Sequence, residues 1–158
     1  MQLRVNELKA LVVIADLSES EKNITSEQCM SVQHFDYHCA RKRDQKGRTY
    51  QAAEPTTLCF SVRINAADQA KPFYSQMMSQ DAGIVSFIFN ASFNDTHRLQ
   101  KYDDAMVVNG FVVDVQEDFC SAAATEQNEE QIILRARMQV CSITYMGETD
   151  NKVLSFVQ

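Results

Sequence analysis

The chain has 158 residues, 45% of them apolar and 23% charged, with a net charge of −6, four glycines and two prolines. That length supports one domain with a sizeable core, and the composition excludes a disordered or low-complexity chain. The acidic balance disfavours nucleic-acid binding by the surface as a whole. The longest apolar runs, residues 10–15 and 84–89, fall far short of the roughly 20 residues needed to span a bilayer, so no membrane insertion is expected.

The amino-terminal residues have no basic start followed by an apolar stretch and a small-residue cleavage site. Synthesis and folding in the cytoplasm are expected, without a cleaved signal peptide. Cys29, Cys39, Cys59, Cys120 and Cys141 are odd in number and lack Cys-x-x-Cys spacing. They read as reduced thiols, several of them in strands as small apolar side chains.

In chain order, residues 8–15 are rich in Val and Ile and read as a strand. Residues 16–28 form a polar loop with a short helical turn opened by Thr25 or Ser26. Residues 29–40 are a long strand in which Met30 and Val32 share one parity and Phe35, Tyr37 and Cys39 the other. The switch near Gln33 and His34 predicts a bulge. Residues 41–56 have no apolar periodicity and read as an extended arm loop; loops that long usually carry function. Residues 57–65 alternate, with Leu58, Phe60, Val62 and Ile64 against Cys59, Ser61 and Arg63, the pattern of a half-buried strand.

The period then changes, and residues 68–80 read as one α-helix. Its stripe is Phe73, Met77 and Gln80, or Ala70, Phe73, Tyr74 and Met77. Asn65 or Asp68 is the expected cap, Pro72 belongs in the first turn, and Gly83 is a natural stop. Residues 84–93 return to strand. Ile84, Val85, Phe87, Ile88 and Phe89 are apolar on both parities, which demands cover on both faces from the helix or a neighbouring subunit. Residues 94–104 are turn-like. Residues 105–119 are a long strand or bent pair, with Asn109-Gly110 as a bulge or turn signal. After a polar connection over 121–130, residues 131–145 form another long strand, and 153–157 a last one. About seven strands and one helix give a mainly β fold: a barrel or pair of packed sheets, with the helix flanking one side, in a single domain.

Chemistry is sparse. His34, Asp36 and His38 share one face of a strand, with neighbours about 6–7 Å apart at Cα. Adjacent members can share a metal ion; the outer two, about 13 Å apart, cannot. The simpler reading is the polar face of a strand. No Gly-x-Ser-x-Gly or Gly-x-Gly pattern occurs, and Cys39, next but one to Arg41, is the one cysteine in a basic setting. The pairs Asp103-Asp104, Glu117-Asp118 and Glu129-Glu130 read as solvated charge. No catalytic residue and no cofactor is expected, so the chain is read as a structural protein and not an enzyme.

The arm stands out electrostatically. Arg41, Lys42, Arg43, Lys46 and Arg48 surround Gly47 and a single acid, Asp44. A basic projection on an acidic body reads as a solvated loop, as a nucleic-acid contact with only Tyr50 near for base stacking, or as a grip on an acidic surface of another copy. Head-to-tail contacts of the last kind close into rings or continue as open stacks. Electrostatics then sets register and partner choice.

The order of elements carries a resemblance. A strand ends in Phe35-Asp36-Tyr37, and the basic arm Arg41-Lys42-Arg43-Asp44-Gln45-Lys46-Gly47-Arg48 follows. Strand 57–65, a helix with Pro72-Phe73-Tyr74, Gly83, strand 84–89 and two long strands complete it. Over residues 30–145 this resembles the Hcp family, the tube proteins of bacterial type VI secretion systems, especially its divergent Bacteroidetes branch. The resemblance implies a two-sheet β-barrel with a flanking helix, assembled as a hexameric ring. Rings would stack into a tube that a contractile sheath expels with a spike protein and effectors, so the protein would leave the cytoplasm through the apparatus. Arg41, Lys42, Arg43, Lys46, Gly47 and Arg48 would form the subunit-contact arm. Two alternatives stand beside it: the tube protein of a phage-tail-like particle, and a small-molecule or metal-binding barrel using His34, Asp36 and His38.

Overall fold

The computed structural model describes residues 10–17, 23–38, 41–43, 49–53, 56–121, 131–147 and 151–155. The strands are β1 (Ala10–Val13), β2 (Met30–His38), β3 (Arg41–Arg43), β4 (Thr49–Ala53), β5 (Thr56–Ile64), β6 (Gly83–Phe89), β7 (Ser92–Phe93), β8 (Leu99–Lys101), β9 (Asp104–Cys120), β10 (Gln131–Gly147) and β11 (Asn151–Ser155). One helix, α1 (Lys71–Met78), lies between β5 and β6. The main sheet runs β11-β10-β5-β2-β1-β6-β9, and β9 also pairs with β10. That last pairing closes six strands into a barrel, as the sequence implied. The neighbouring strands are antiparallel throughout.

The barrel has two walls because its two longest strands bend together. Beside β10, strand β9 skips one residue at Val113, and β10 skips one at Cys141 opposite Gly110 and Asn109. Each strand therefore carries one bulge, and the overall register is kept. A Cβ on Gly110 would lie 2.4 Å from the Gln139 carbonyl oxygen and 3.1 Å from the Val140 Cα. The corner thus depends on the missing side chain, which is what the Asn109-Gly110 signal reported. On one side of the corner, β9 and β10 continue the wall of β2 and β5; on the other, they join β6, β1 and β11. The parity switch in β2 is likewise a bulge, between Val32 and His34 against β5.

The interior core holds Leu58, Phe60 and Val62 from β5, Leu134, Met138 and Val140 from β10, Val85 and Phe87 from β6, and Phe73 from the helix. Phe60 packs at ring-centroid distances of 5.2 Å from Phe87 and 5.7 Å from Phe73. A second cluster lies on the outer face of the β1–β6–β9 wall. There Val13, Ile88, Ala105 and Val107 are covered by Leu17, Ile24 and Leu99, with Phe93 packed alongside. This explains the two-sided apolar pattern of β6. Its outer cover comes from the chain's own loop before β2 and the β7–β8 ribbon, not from the helix or a neighbouring copy. Ser86 secures that cover: its hydroxyl donates to the Ala15 carbonyl at 2.6 Å and accepts from the Leu17 N–H at 3.2 Å.

The helix is shorter than expected and its ends differ. Ala70 is its N-cap, with no side-chain cap bond, after a 3-10 turn over Ala67–Gln69. Asn65 instead donates its N–H to Gln69 Oε1 at 2.8 Å, and Asp68 sits in the turn. Pro72 removes one of the N–H groups a cap would satisfy. At the other end Ser79 is the C-cap and Gly83 opens β6. A Cβ at Gly83 would fall 2.6 Å from Gln76 Cδ, so the end of the Gln76 side chain fills the space that the glycine leaves. The stripe is Ala70 and Phe73, buried, with Tyr74 and Met77 against the same core. The short turn before β2 forms at Ser26–Gln28 behind Thr25, closed by a capping box with Gln28.

Two regions expected to be irregular contain strands. Residues 94–104 include β8, paired with β7. In the arm, β3 and β4 pair, with Arg41 opposite Ala53 and Arg43 opposite Thr49. Extended chain folded back on itself satisfies its own backbone groups, whatever its side-chain pattern.

Candidate assembly surfaces

The uncovered wall is polar. Register carries its side chains in rows across four strands. Asp36, Cys59, Arg137 and Asp114 form one row, and His34, Ser61, Arg135 and Gln116 the next. The charges in these rows are largely matched within the wall. His34 Nε2 lies 2.6 Å from Asp36 Oδ2, Arg135 pairs with Asp118, and Arg137 Nη2 lies 3.4 Å from Asp114 Oδ2. A groove of about 460 Å³ runs over His34, Cys59, Ser61, Gln116, Arg135 and Arg137.

The thiols here are not primed for chemistry. Partial burial raises the pKa of Cys59, the Asp36 charge adds to this, and Arg137 opposes it. Burial pushes Cys29 up to about 11. Thiolate is the nucleophilic form, so both are held in the unreactive state. Cys39 lies outside the described residues. His34 and Asp36 meet, but among the described residues no three His, Cys, Asp or Glu side chains converge on a metal position.

The margins of this wall are unusual. β2 pairs with β5 along residues 32–38, yet β1 reaches only Met30 and Ser31. β9 pairs with β10 along its length, yet β6 reaches only Asp104–Gly110. Among the described residues, therefore, β2 from Gln33 onward and β9 beyond Gly110 each present an unpaired backbone edge. These edges bound opposite sides of one wall. (β11, which pairs with β10 alone, is open too, on the other wall.) Of the four large apolar side chains that stand exposed among the described residues, three are on these strands: Tyr37 at 38%, Val113 at 48% and Phe119 at 64%. The fourth, Met78 at 80%, ends the helix. The Tyr37 hydroxyl meets that of Tyr145 at the barrel mouth.

The arm leaves the wall where β2 ends and returns where β5 begins, so it stands at one end of the barrel. Of its expected contact residues, Arg41, Lys42 and Arg43 form β3; Lys46, Gly47 and Arg48 lie outside the described residues. Register places Phe119, Ile132 and Ile64 at the opposite end. There Glu117 accepts a hydrogen bond from the Tyr74 hydroxyl at 2.9 Å, and Asp118 and Asp68 stand close by in sequence to the same end. The sequence pointed to the arm but not to the unpaired edges. Their signal was indirect: β2 is polar on one face over His34, Asp36 and His38, and Phe119 stands one residue before the end of β9, following two acids.

No protein-family model and no curated protein matches the chain in sequence. Solved structures match it along almost its entire length. A protein described as Hcp superposes with a TM-score of 0.65 at 9% identity, covering 96% of this chain and 99% of that one. Hcp1 from E. coli EAEC 042 gives 0.63 at 10% identity, with 95% and 99% covered. Hcp1 from Flavobacterium johnsoniae gives 0.56 at 9%, with 93% and 98% covered. The chain has the Hcp fold. At such low identity the likeness concerns the fold, and the site residues must be argued from this chain. In the Hcp fold seen here, the helix between β5 and β6, the ribbon between β2 and β5 and the long β9–β10 pair stand in the expected order.

Proposed function

We propose that the chain is a structural subunit that forms rings, and that the rings stack into the inner tube of a contractile, type VI-like secretion apparatus. The observation that carries this is a pair of edges, open among the described residues, on opposite sides of one polar wall. Strand direction alternates along β2, β5, β10 and β9, so β9 of one copy meets β2 of the next as an antiparallel pair. Each unmet backbone group finds a partner, and a heterologous contact of this kind closes into a ring.

The Hcp likeness supports six copies. Four strands from each give a continuous sheet of about 24 strands. At about 4.8 Å per strand the circumference is about 115 Å and the diameter about 37 Å between backbones. The charge-matched rows then face the lumen, a surface that cargo can pass without adhering strongly. The other wall is already covered by the chain's own segments and faces outward. The basic arm at one end, led by Arg41, Lys42 and Arg43, reaches acidic groups such as Glu117 and Asp118 at the far end of a copy in the next ring. Sheath, spike and effectors are the partners this role requires, and export through the apparatus is the route.

Negative-stain microscopy of the purified protein tests the reading. Annuli with a central hole of about 3–4 nm are expected. Isolated single copies at every concentration would overturn it.

A further inference from the structure

The solvent-facing side of β2, away from the barrel core, is the only part of the polar wall that carries histidine. His34 and His38 flank Asp36 there, and all three are exposed. The same solvent-facing side of β9 carries Asp114, Gln116 and Asp118. If β2 of one copy lies beside β9 of the next, these faces fall on the same side of the shared sheet. This inference rests on the ring proposed above. The joint then sets two histidines and one carboxylate against two carboxylates.

Asp114 and Asp118 stand on the edge strand itself, one strand nearer the joint than Arg137 and Arg135, which offset them in part. With neutral histidines Asp36 is therefore set beside carboxylates, and like charges side by side in a sheet repel. With protonated histidines the same joint gains two cations. Histidine is the side chain that changes charge between about pH 5 and 8. We propose that His34 and His38 of one copy, against Asp114 and Asp118 of the next, make ring closure stronger on mild acidification.

His34 faces Asp36 on its own strand at 2.6 Å, Ser61 directly opposite on β5, and Cys59 beyond it. Further across the groove lie Arg135, Arg137 and Asp114 of the same copy. Those arginines stand on β10, two strands from β2, and each is paired with an aspartate of β9. His38 faces Thr57 on β5 and has Asp36 two residues before it. Across the joint, a protonated histidine therefore meets carboxylate. Protons are taken up on association, so the gain is present at low pH and lost as pH rises through the histidine range.

Exposed charge pairs each contribute modestly, so two per joint strengthen it about two- to thirtyfold. The test is mass photometry and sedimentation velocity at pH 5.5 and 8.0, low salt, on the wild-type chain and the His34→Gln/His38→Gln double variant. Both positions are exposed, so the substitutions leave the fold intact. Wild-type rings should persist to lower protein concentration at pH 5.5, and the double variant should lose most of that shift. The variant also controls for the general loss of negative charge on acidification. Rings that form equally at both pH values, or a variant that keeps the full shift, overturn the histidine joint and leave the ring reading standing. A wild-type chain with no ring at either pH overturns both.

Discussion

Replacing Phe119 with Ala separates assembly from folding. Phe119 is 64% exposed in the isolated subunit. A phenylalanine presents on the order of 200 Å², so about 130 Å² of it still faces solvent. Covering all of that against a neighbouring copy is worth about 3 kcal/mol at about 25 cal/mol per Å², and covering half about 1.5. Association should therefore weaken by roughly ten- to a hundredfold per joint. The subunit itself should hardly notice, because a mostly exposed side chain contributes little to its core. A change within about ±0.5 kcal/mol is expected in urea unfolding of the monomer. Mass photometry over a dilution series reads the first quantity, and the urea midpoint the second. If rings of the variant dissociate at the same concentration as wild type, the β9 edge does not lie in the joint. If the variant instead unfolds more easily by several kcal/mol, Phe119 belongs to the core and the exposed-edge argument fails.

Gly110→Ala is the converse case. The new methyl meets the backbone of Gln139 and Val140, and overpacking of this sort costs about 1–3 kcal/mol. The urea midpoint should fall at unchanged slope; an unchanged midpoint would show that the corner tolerates a side chain. Neutralising Arg41, Lys42 and Arg43 together should leave single rings intact while stacks shorten and lose their sensitivity to salt. Persistent salt-sensitive stacks in electron micrographs would remove the arm from the ring-ring contact. The hydrogen bond from Tyr74 to Glu117, with lesser help from burial and the Glu117 charge, raises the tyrosine pKa. A raised native value means this contribution is complete below the ordinary tyrosine range, near pH 10, and is lost as pH rises through the native value. Absorbance titration should show one late-titrating phenol that vanishes in Tyr74→Phe. Its survival in the variant would assign it to another tyrosine.

Much of this fold could be read from side-chain period alone. β5 alternates because one face packs on the barrel core and the other is solvated. The switch in β2 and the Asn109-Gly110 pair marked bulges because a skipped residue moves side chains to the other face. The places where reading failed share a cause. The cap at Ala70 and the role of Gly83 depend on what a segment packs against, and local propensity is silent about that. The β3–β4 ribbon carries no apolar alternation because a two-stranded projection has no core to face. The outer cover of β6 came from a loop and a small ribbon whose apolar residues, Leu17, Ile24 and Leu99, are too widely spaced to show any period. The paired charges of the polar wall were invisible for the same reason. Arg137 and Asp114 are far apart in sequence and meet only through strand register.

An unpaired edge has no side-chain signature, since it is made of backbone. It is nonetheless where the two walls of this barrel differ most in consequence. The β1–β6–β9 wall has spent its apolar residues on both faces and is sealed by its own chain. Among the described residues, the β2–β5–β10–β9 wall is sealed on one face only, and its margins offer donors and acceptors over Gln33–His38 on one side and Phe111–Cys120 on the other. Soluble proteins protect such edges, commonly with charge and bulges. Here Asp36, Asp114, Glu117 and Asp118 and the extra residue Val113 blunt indiscriminate pairing, yet Val113 and Phe119 remain exposed beside them. A strand defended against random partners but furnished with apolar anchors fits a selective partner. A second copy of the same chain meets that description, because it brings the complementary antiparallel edge in the orientation that continues the sheet.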